Sequence, residues 1–273
     1  MKITRKHKII VYSILVLFSL YFLFPFIWAF ITAIKSEAEV FSFPPKFVPD
    51  VPLLSNFIDA WNSQPFGTYF KNSMIVTVLT TIGQLISCSL VAYGFARYDF
   101  KYKNILFMLL LSTMMIPWDV TMIPLYMEFN MFGWINTLKP LIVPAFFGSA
   151  YNIFLLRQFL MNIPKDLENA ARIDGANEFQ IFYKIFLPIM KAPLTLIAVL
   201  NIILVWNDYL GPLIYLNDQS KYTMALGLAS FQGVHELQII PIMAMTLVMI
   251  IPPVIVFAFA QKYIVEGISG SIK

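Results

Sequence analysis

Two aspartates, Asp119 and Asp208, lie within or at the edge of long apolar runs. A carboxylate is costly to bury there, so a function or a bonding partner is the default reading for each. Near them in sequence stand Trp118, Asn201, Trp206 and Asn207. Aromatic faces and amide or carboxylate groups suit a polyhydroxylated ring and its hydroxyls. These six residues are the candidate substrate pathway. Plainer roles stay open beside it: an interfacial belt for the tryptophans, and a helix break or interhelical bond for Asn207-Asp208. Bond-making chemistry finds no support. The histidines, His7 and His235, fall in different loops, and the single cysteine, Cys88, sits in an apolar run. No metal-ligand spacing appears, and no catalytic cluster of His, Asp or Glu. No glycine-rich phosphate loop of the GxxxxGK[ST] type occurs either. The chain is therefore expected to have no catalytic residues, no metal and no nucleotide of its own.

The elements that must position these residues are membrane spans. Of 273 residues 59% are hydrophobic and 12% charged, about half the charged share of a soluble domain. Six apolar stretches can be drawn, at residues 9–34, 70–95, 105–129, 138–160, 193–216 and 237–260. The first follows a basic start, Lys2, Arg5, Lys6 and Lys8, but is far too long for a signal-peptide core and reads as a retained helix. With the N-terminus inside, fourteen of the nineteen Lys and Arg fall on the cytoplasmic side, as the positive-inside rule asks. The net charge of +4 thus belongs to membrane loops; no basic stripe with interleaved exposed aromatics points to nucleic acid. The expected organisation is a cytoplasmic N-terminus (1–8), a first span (9–34), an external loop (35–69), a core of five spans (70–262) and a cytoplasmic tail (263–273). The chain reads as a multi-pass protein of the plasma or inner membrane.

Two polar segments interrupt the spans. Residues 36–67 carry Pro44, Pro45, Pro49, Pro52 and Pro65, which prevent one continuous helix; Phe57, Ile58 and Trp61 suggest a short amphipathic element on the outer surface, with a plain linker as the equal alternative. Residues 161–191 hold four acids and four bases. Pro164 fits a helix start, and Asp166 and Glu168 suit its positive dipole end. Ala170 and Ala171 give a small smooth face, and Gly175 permits a sharp turn. An apolar stretch from Phe179 to Leu187 follows, and Pro188 ends or kinks it. The segment reads as helix, glycine turn, helix. A small-residue face flanked by charges suits close docking of another protein; a helix lying on the bilayer is the alternative.

The string Asn169-Ala170-Ala171, three residues, Gly175, nine residues, Ile185, one residue, Leu187-Pro188 resembles the EAA loop of importer permeases of the ATP-binding-cassette class. Glu168 through Ala176 is similar to the carbohydrate branch of that family, residues 206–213 look like the family, and the tail Gln261 through Gly270 is similar to the smaller permease of maltose-type importers. The resemblance covers nearly the whole chain. It implies an all-α membrane protein of six transmembrane helices with a cytoplasmic coupling loop between the fourth and fifth. It further implies a second permease of different sequence, two ATPase subunits that bind ATP and Mg, an external solute-binding protein, and a sugar or oligosaccharide substrate. The coupling loop would comprise Glu168, Asn169, Ala170, Ala171, Asp174, Gly175, Ile185, Leu187 and Pro188. The tail residues Glu266, Gly267, Ser269 and Gly270 would reach toward the ATPase. One position departs: the family has Glu where this chain has Asn169, and that carboxylate pairs with a basic group of the ATPase. Glu168 is the available partial substitute, though it points about 100° away around a helix.

Rival readings are an ion-gradient transporter, a membrane-embedded enzyme, and an importer permease for another solute such as a glycerol phosphate. The first predicts broken helices at matched positions of two repeats. Pro117 and Pro124 interrupt the third span, with no matching pair in the second half.

Overall fold

The computed structural model describes residues 5–233 and 238–270, with side chains through Lys262. In chain order its principal helices are α1 (Arg5–Ala33), α2 (Ser55–Ser63), α3 (Phe66–Arg97), α4 (Lys103–Ser112), α5 (Trp118–Met131), α6 (Ala150–Met161), α7 (Asp166–Ile173), α8 (Glu178–Ile189), α9 (Lys191–Trp206), α10 (Leu210–Tyr215) and α11 (Ile239–Gly270). No β-strand forms among the described residues. Among the described residues four helical stretches are long and apolar enough to cross a membrane, or six if each of two bent pairs counts as one span. His235 and its neighbours 234–237 lie outside the described residues. The chain divides into two compact units, residues 1–66 with 227–251 and residues 67–226 with 252–273.

In the first unit, α1 is apolar around its whole circumference, and none of its most apolar window is buried by the rest of the chain. Such a helix needs lipid or another protein as its solvent. Leu53 N–H donates to the Ile34 carbonyl at 2.8 Å, and the Asn56 amide donates to the Ala33 and Lys35 carbonyls, both at 2.9 Å. These bonds satisfy carbonyls that the end of α1 leaves open and hold α2 against it. The short amphipathic element expected near Phe57 is this helix, and Phe57 packs on Phe30.

In the second unit, α3 is the centre of the packing. Ser73, Val76, Thr77, Thr80, Cys88 and Ala92 are buried along it, at three- and four-residue steps that form one face. Small and hydroxyl side chains let neighbouring helices approach closely. Thr80 returns its hydroxyl to the Val76 carbonyl at 2.7 Å, which leaves no orphan donor. The Ser73 hydroxyl accepts from Met224 N–H at 2.8 Å, Ser87 donates to the Ala145 carbonyl at 3.2 Å, and the Asn201 amide donates to Thr81 Oγ1 at 2.9 Å. Gly83 meets the Phe146 ring so closely that an added Cβ would lie 2.8 Å from it. Gly83→Ala is therefore expected to cost about 1 kcal/mol through overpacking. A fall of roughly 2–4 °C in the melting temperature of the detergent-solubilised chain measures it.

Two expected spans are not continuous. The third breaks between Met115 and Trp118, where its halves bend by 99°. Ile116 precedes Pro117 and is driven out of the helical region, to φ −85° and ψ 113°, by the clash with the proline ring. The fifth, expected over 193–216, ends at Trp206 and restarts as α10. The boundary before it is also bent, by 72° between α8 and α9. There Pro188 lacks the N–H that α-helical bonding to residue 184 requires. The preceding turn, Phe182–Phe186, widens to a π-helix, and Leu187 N–H reaches back to the Phe182 carbonyl.

Candidate functional site

The segment between α6 and α9 is a helix, a turn and a second helix. Asp166 and Glu168 occupy the first turn of α7 and Arg172 the last, each matching the helix dipole. Gly175 follows the helix at φ +81°. Gly175 N–H donates to the Arg172 carbonyl at 3.1 Å and Ala176 N–H to the Ala171 carbonyl at 2.9 Å. This pair of bonds is the Schellman termination, and its left-handed residue is nearly strain-free only as glycine. Two residues later Asn177 starts α8 with a capping box: Gln180 N–H donates to its side chain at 2.9 Å, and Asn177 N–H donates to Gln180 Oε1 at 3.0 Å.

Side chains then tie the turn to the body. Arg172 donates twice to the Glu178 carboxylate, at 2.9 and 3.3 Å, and Tyr98 donates its hydroxyl to the same carboxylate at 2.8 Å. Below them, the buried Arg97 guanidinium donates to the Ile163 carbonyl at 2.9 Å and lies 4.5 Å from the Phe186 ring centre. Arg97 thus fixes both flanks of the segment to the end of α3. Its place at the end of an apolar span gives no sign in the sequence that the side chain turns inward. Ala171, Ile181, Phe182, Phe186 and Met190 join Tyr93, Leu156 and Leu160 in one core. The family-like positions Ile185 and Leu187 are half-buried against that core, while Pro188 shapes the bend.

Arg172, with Tyr98 second, holds the Glu178 carboxyl below its ordinary range. A group depressed in the folded state contributes stability above its unfolded pKa and loses that contribution as pH falls through the folded value. Both side chains are well exposed, so solvent screening keeps the pair's contribution small. Glu178→Gln is expected to lower thermal stability at pH 7. The difference from the parent should close on acidification below the ordinary carboxylate range, as a melting series against pH would record.

Opposite the core, the segment presents a different face. Asn169, Ala170, Ile173, Asp174 and Gly175 are exposed, and Ile173 is 86% exposed. Phe179, 72% exposed, stacks on exposed Tyr183. Glu168 behaves otherwise. It is 3% exposed and its Oε2 atom has no hydrogen-bond partner among the described residues. Reading Glu168 as a stand-in for the missing acid at 169 is thus corrected: it shares the inward face with Ala171, three residues on. Asn169 faces outward and accepts from Arg172 at 3.4 Å.

The substrate-pathway candidates separate into two groups. Trp118 and Asp119 open α5 at the sharp break, and both are exposed. Asn201, Trp206, Asn207 and Asp208 belong to the end of α9 and have internal partners. Trp206 is 2% exposed and packs edge-on against Phe70, so it offers no face to a ligand. Asn201 is bonded to Thr81, Asn207 donates to the Ile203 carbonyl at 2.7 Å, and Asp208 accepts from Gly211 N–H at 3.1 Å. A Cβ added at Gly211 would lie 2.5 Å from the Asp208 carboxylate, which would have to shift. A groove of about 710 Å³ bordered by α8, α9 and α11 includes none of the six candidates. The tail positions Glu266, Gly267, Ser269 and Gly270 continue the helical backbone of α11, but their side chains lie outside the described residues.

Comparison with known proteins agrees with this arrangement. Residues 85–270 match the family model described as binding-protein-dependent transport system inner membrane component. The chain is 32% identical over 259 residues to the arabinooligosaccharides transport system permease protein AraQ of Bacillus subtilis (strain 168), covering 93% of this chain and 92% of the relative. It is also 32% identical over 277 residues to the sn-glycerol-3-phosphate transport system permease protein UgpE of Yersinia pestis bv. Antiqua (strain Antiqua), covering 98% of each. A solved bacterial ABC transporter involved in the import of the acidic polysaccharide alginate contains a chain with a TM-score of 0.82 and 27% identity, covering 95% of this chain and 98% of that one. The chain belongs to the inner-membrane permeases of binding-protein-dependent ATP-binding-cassette importers, a non-catalytic multi-pass subunit whose ATPase resides on a separate one.

Proposed function

We propose that this permease carries a sugar or oligosaccharide, pairs with a second permease of different sequence, and receives the ATPase on the outer face of α7 and the following turn. The observation that carries this reading is the braced turn itself, with exposed Ile173, Ala170 and Asn169 on one side and a packed core on the other. Because Arg97, Tyr98 and Arg172 fix the turn to α3 and α8, a push on α7 transmits to the spans as a rigid displacement. The fourteen-to-five distribution of Lys and Arg supports placing this face and both termini in the cytoplasm. ATP and Mg then bind to the partner subunits alone. An external solute-binding protein delivers the substrate, and Trp118 and Asp119, at the open break before α5, are the pathway residues best placed to meet it.

Carbohydrate importers predominate among the named relatives, and a glycerol-phosphate system is among them. A phosphorylated solute calls for Arg or Lys directed into the pathway. The residue beside Trp118 is an acid instead, which favours a neutral sugar. Uptake by the complete complex in proteoliposomes, with its solute-binding protein and labelled sugars, tests this. Saturable sugar uptake is expected; uptake of glycerol 3-phosphate with none of the sugars would reject the substrate assignment.

A further inference from the structure

The loop between α1 and α2 is a closed, internally braced excursion. Its ends meet where Leu53 N–H donates to the Ile34 carbonyl. Inside it, the Glu39 carboxylate accepts from Asp50 N–H at 2.7 Å, from Ser36 N–H at 3.0 Å and from the Ser36 hydroxyl at 2.9 Å. These bonds pull the Glu39 pKa down to about 2, so the brace stays charged across the physiological range. Lys46 pairs with Asp50. The Lys46–Asp50 pair stays exposed, and beside it the loop shows an apolar surface. Phe43 is 95% exposed, and Phe41, Phe47, Val48 and Val51 are exposed with it. A braced frame holding apolar side chains outward marks an interaction surface.

The position of the loop along α1 identifies the partner. Phe47 packs edge-on against Trp28, at 5.5 Å between ring centres, and Lys35 lies 4.9 Å from the same indole while donating to the Lys46 carbonyl. Trp28 stands five residues before the end of α1, roughly 7.5 Å back along the helix axis. The loop therefore folds down beside the membrane-spanning helix rather than standing above it. Just before that level Leu23, Phe24, Phe26 and Ile27 of α1 are apolar and exposed, and the loop's phenylalanines and valines extend that surface. Tryptophan, lysine and clustered aromatics at a helix end are the side chains that sit at the headgroup boundary.

We infer that residues 41–51 form a lipid-facing foot, seated at the headgroup and acyl-chain boundary of the leaflet where α1 ends. It fixes the depth of α1 and the attitude of α2 in the bilayer. The inference holds whichever substrate the permease carries and whichever face of α7 receives the ATPase. A nitroxide at Phe43→Cys or Val48→Cys, in the assembled complex in phosphatidylcholine and phosphatidylglycerol vesicles, tests it. Both sites are exposed enough to accept the label without disturbing the core, and Cys88 is fully buried. The expected result is relaxation by oxygen several-fold stronger than by a water-soluble nickel chelate at both positions, unchanged when the solute-binding protein is added. Stronger relaxation by the nickel chelate overturns the inference by placing the foot in water. Nickel access that disappears when the binding protein is added also overturns it, by making the surface a protein-docking site.

Discussion

Gly175→Val is expected to reduce both binding-protein-stimulated ATP hydrolysis and uptake by about tenfold or more, while Gly175→Asn retains most of each. Gly175 sits at φ +81° with nothing within 4 Å of where a Cβ would stand. The penalty is therefore conformational rather than steric crowding. A left-handed backbone costs an ordinary residue roughly 1–2 kcal/mol, asparagine visits it more readily, and a β-branched residue is a severe outlier there. Relief of that strain would open the Schellman bonds and swing α8 away from α7. Arg172 and Glu178 would separate, and the turn would no longer move as one piece. The valine and asparagine variants differ little in bulk, so their ranking separates backbone conformation from size. Equal activity in both would show that the left-handed turn plays no part in coupling.

Ile173→Asp carries the second large expectation. Ile173 is the most exposed apolar side chain of α7, and a β-branched hydrophobe held at that level in water suits a pocket on a partner. Apolar anchors at the centre of an interface cost about 2 kcal/mol or more when lost, close to a thirtyfold change in affinity. An introduced carboxylate adds desolvation to that loss. Retention of the ATPase on the tagged permease should fall accordingly, while the permease alone melts at its parental temperature, because residue 173 lies outside its core. A variant that lowers the melting temperature and leaves retention intact would move the anchor elsewhere.

Much of this arrangement is legible in the sequence because it depends on local rules. Gly175 after an Ala-rich helix announces a left-handed stop, Pro188 a distortion of the next helix, and the apolar runs the spans. The limits appear where a distant part of the chain decides. Glu168 and Asn169 are adjacent acceptors in the same turn, and nothing local tells which faces inward; α3 and α8 packing against one side of α7 settles it. Arg97 reads as an end-of-span charge until Ile163 and Phe186, far along the chain, are seen to receive it. Trp206 reads as a ring for sugars, yet Phe70 closes over it. The third span reads as one helix with two prolines, and the 99° bend follows from the strain on Ile116 rather than from Pro124, which α5 accommodates in its interior. The foot at residues 41–51 escaped because its brace joins Ser36, Glu39 and Asp50 across a proline-rich stretch with no periodicity to read.

The outer face of α7 is the proposed docking site of the ATPase. The most direct test is a photo-cross-linking residue at position 173 in the assembled complex, irradiated in vesicles and resolved by mass. An adduct with the ATPase subunit is expected, strongest at 173 and absent when the same residue stands at position 43. Adducts from 173 confined to lipid or to the permease itself would contradict it, and would leave α7 a helix lying on the bilayer.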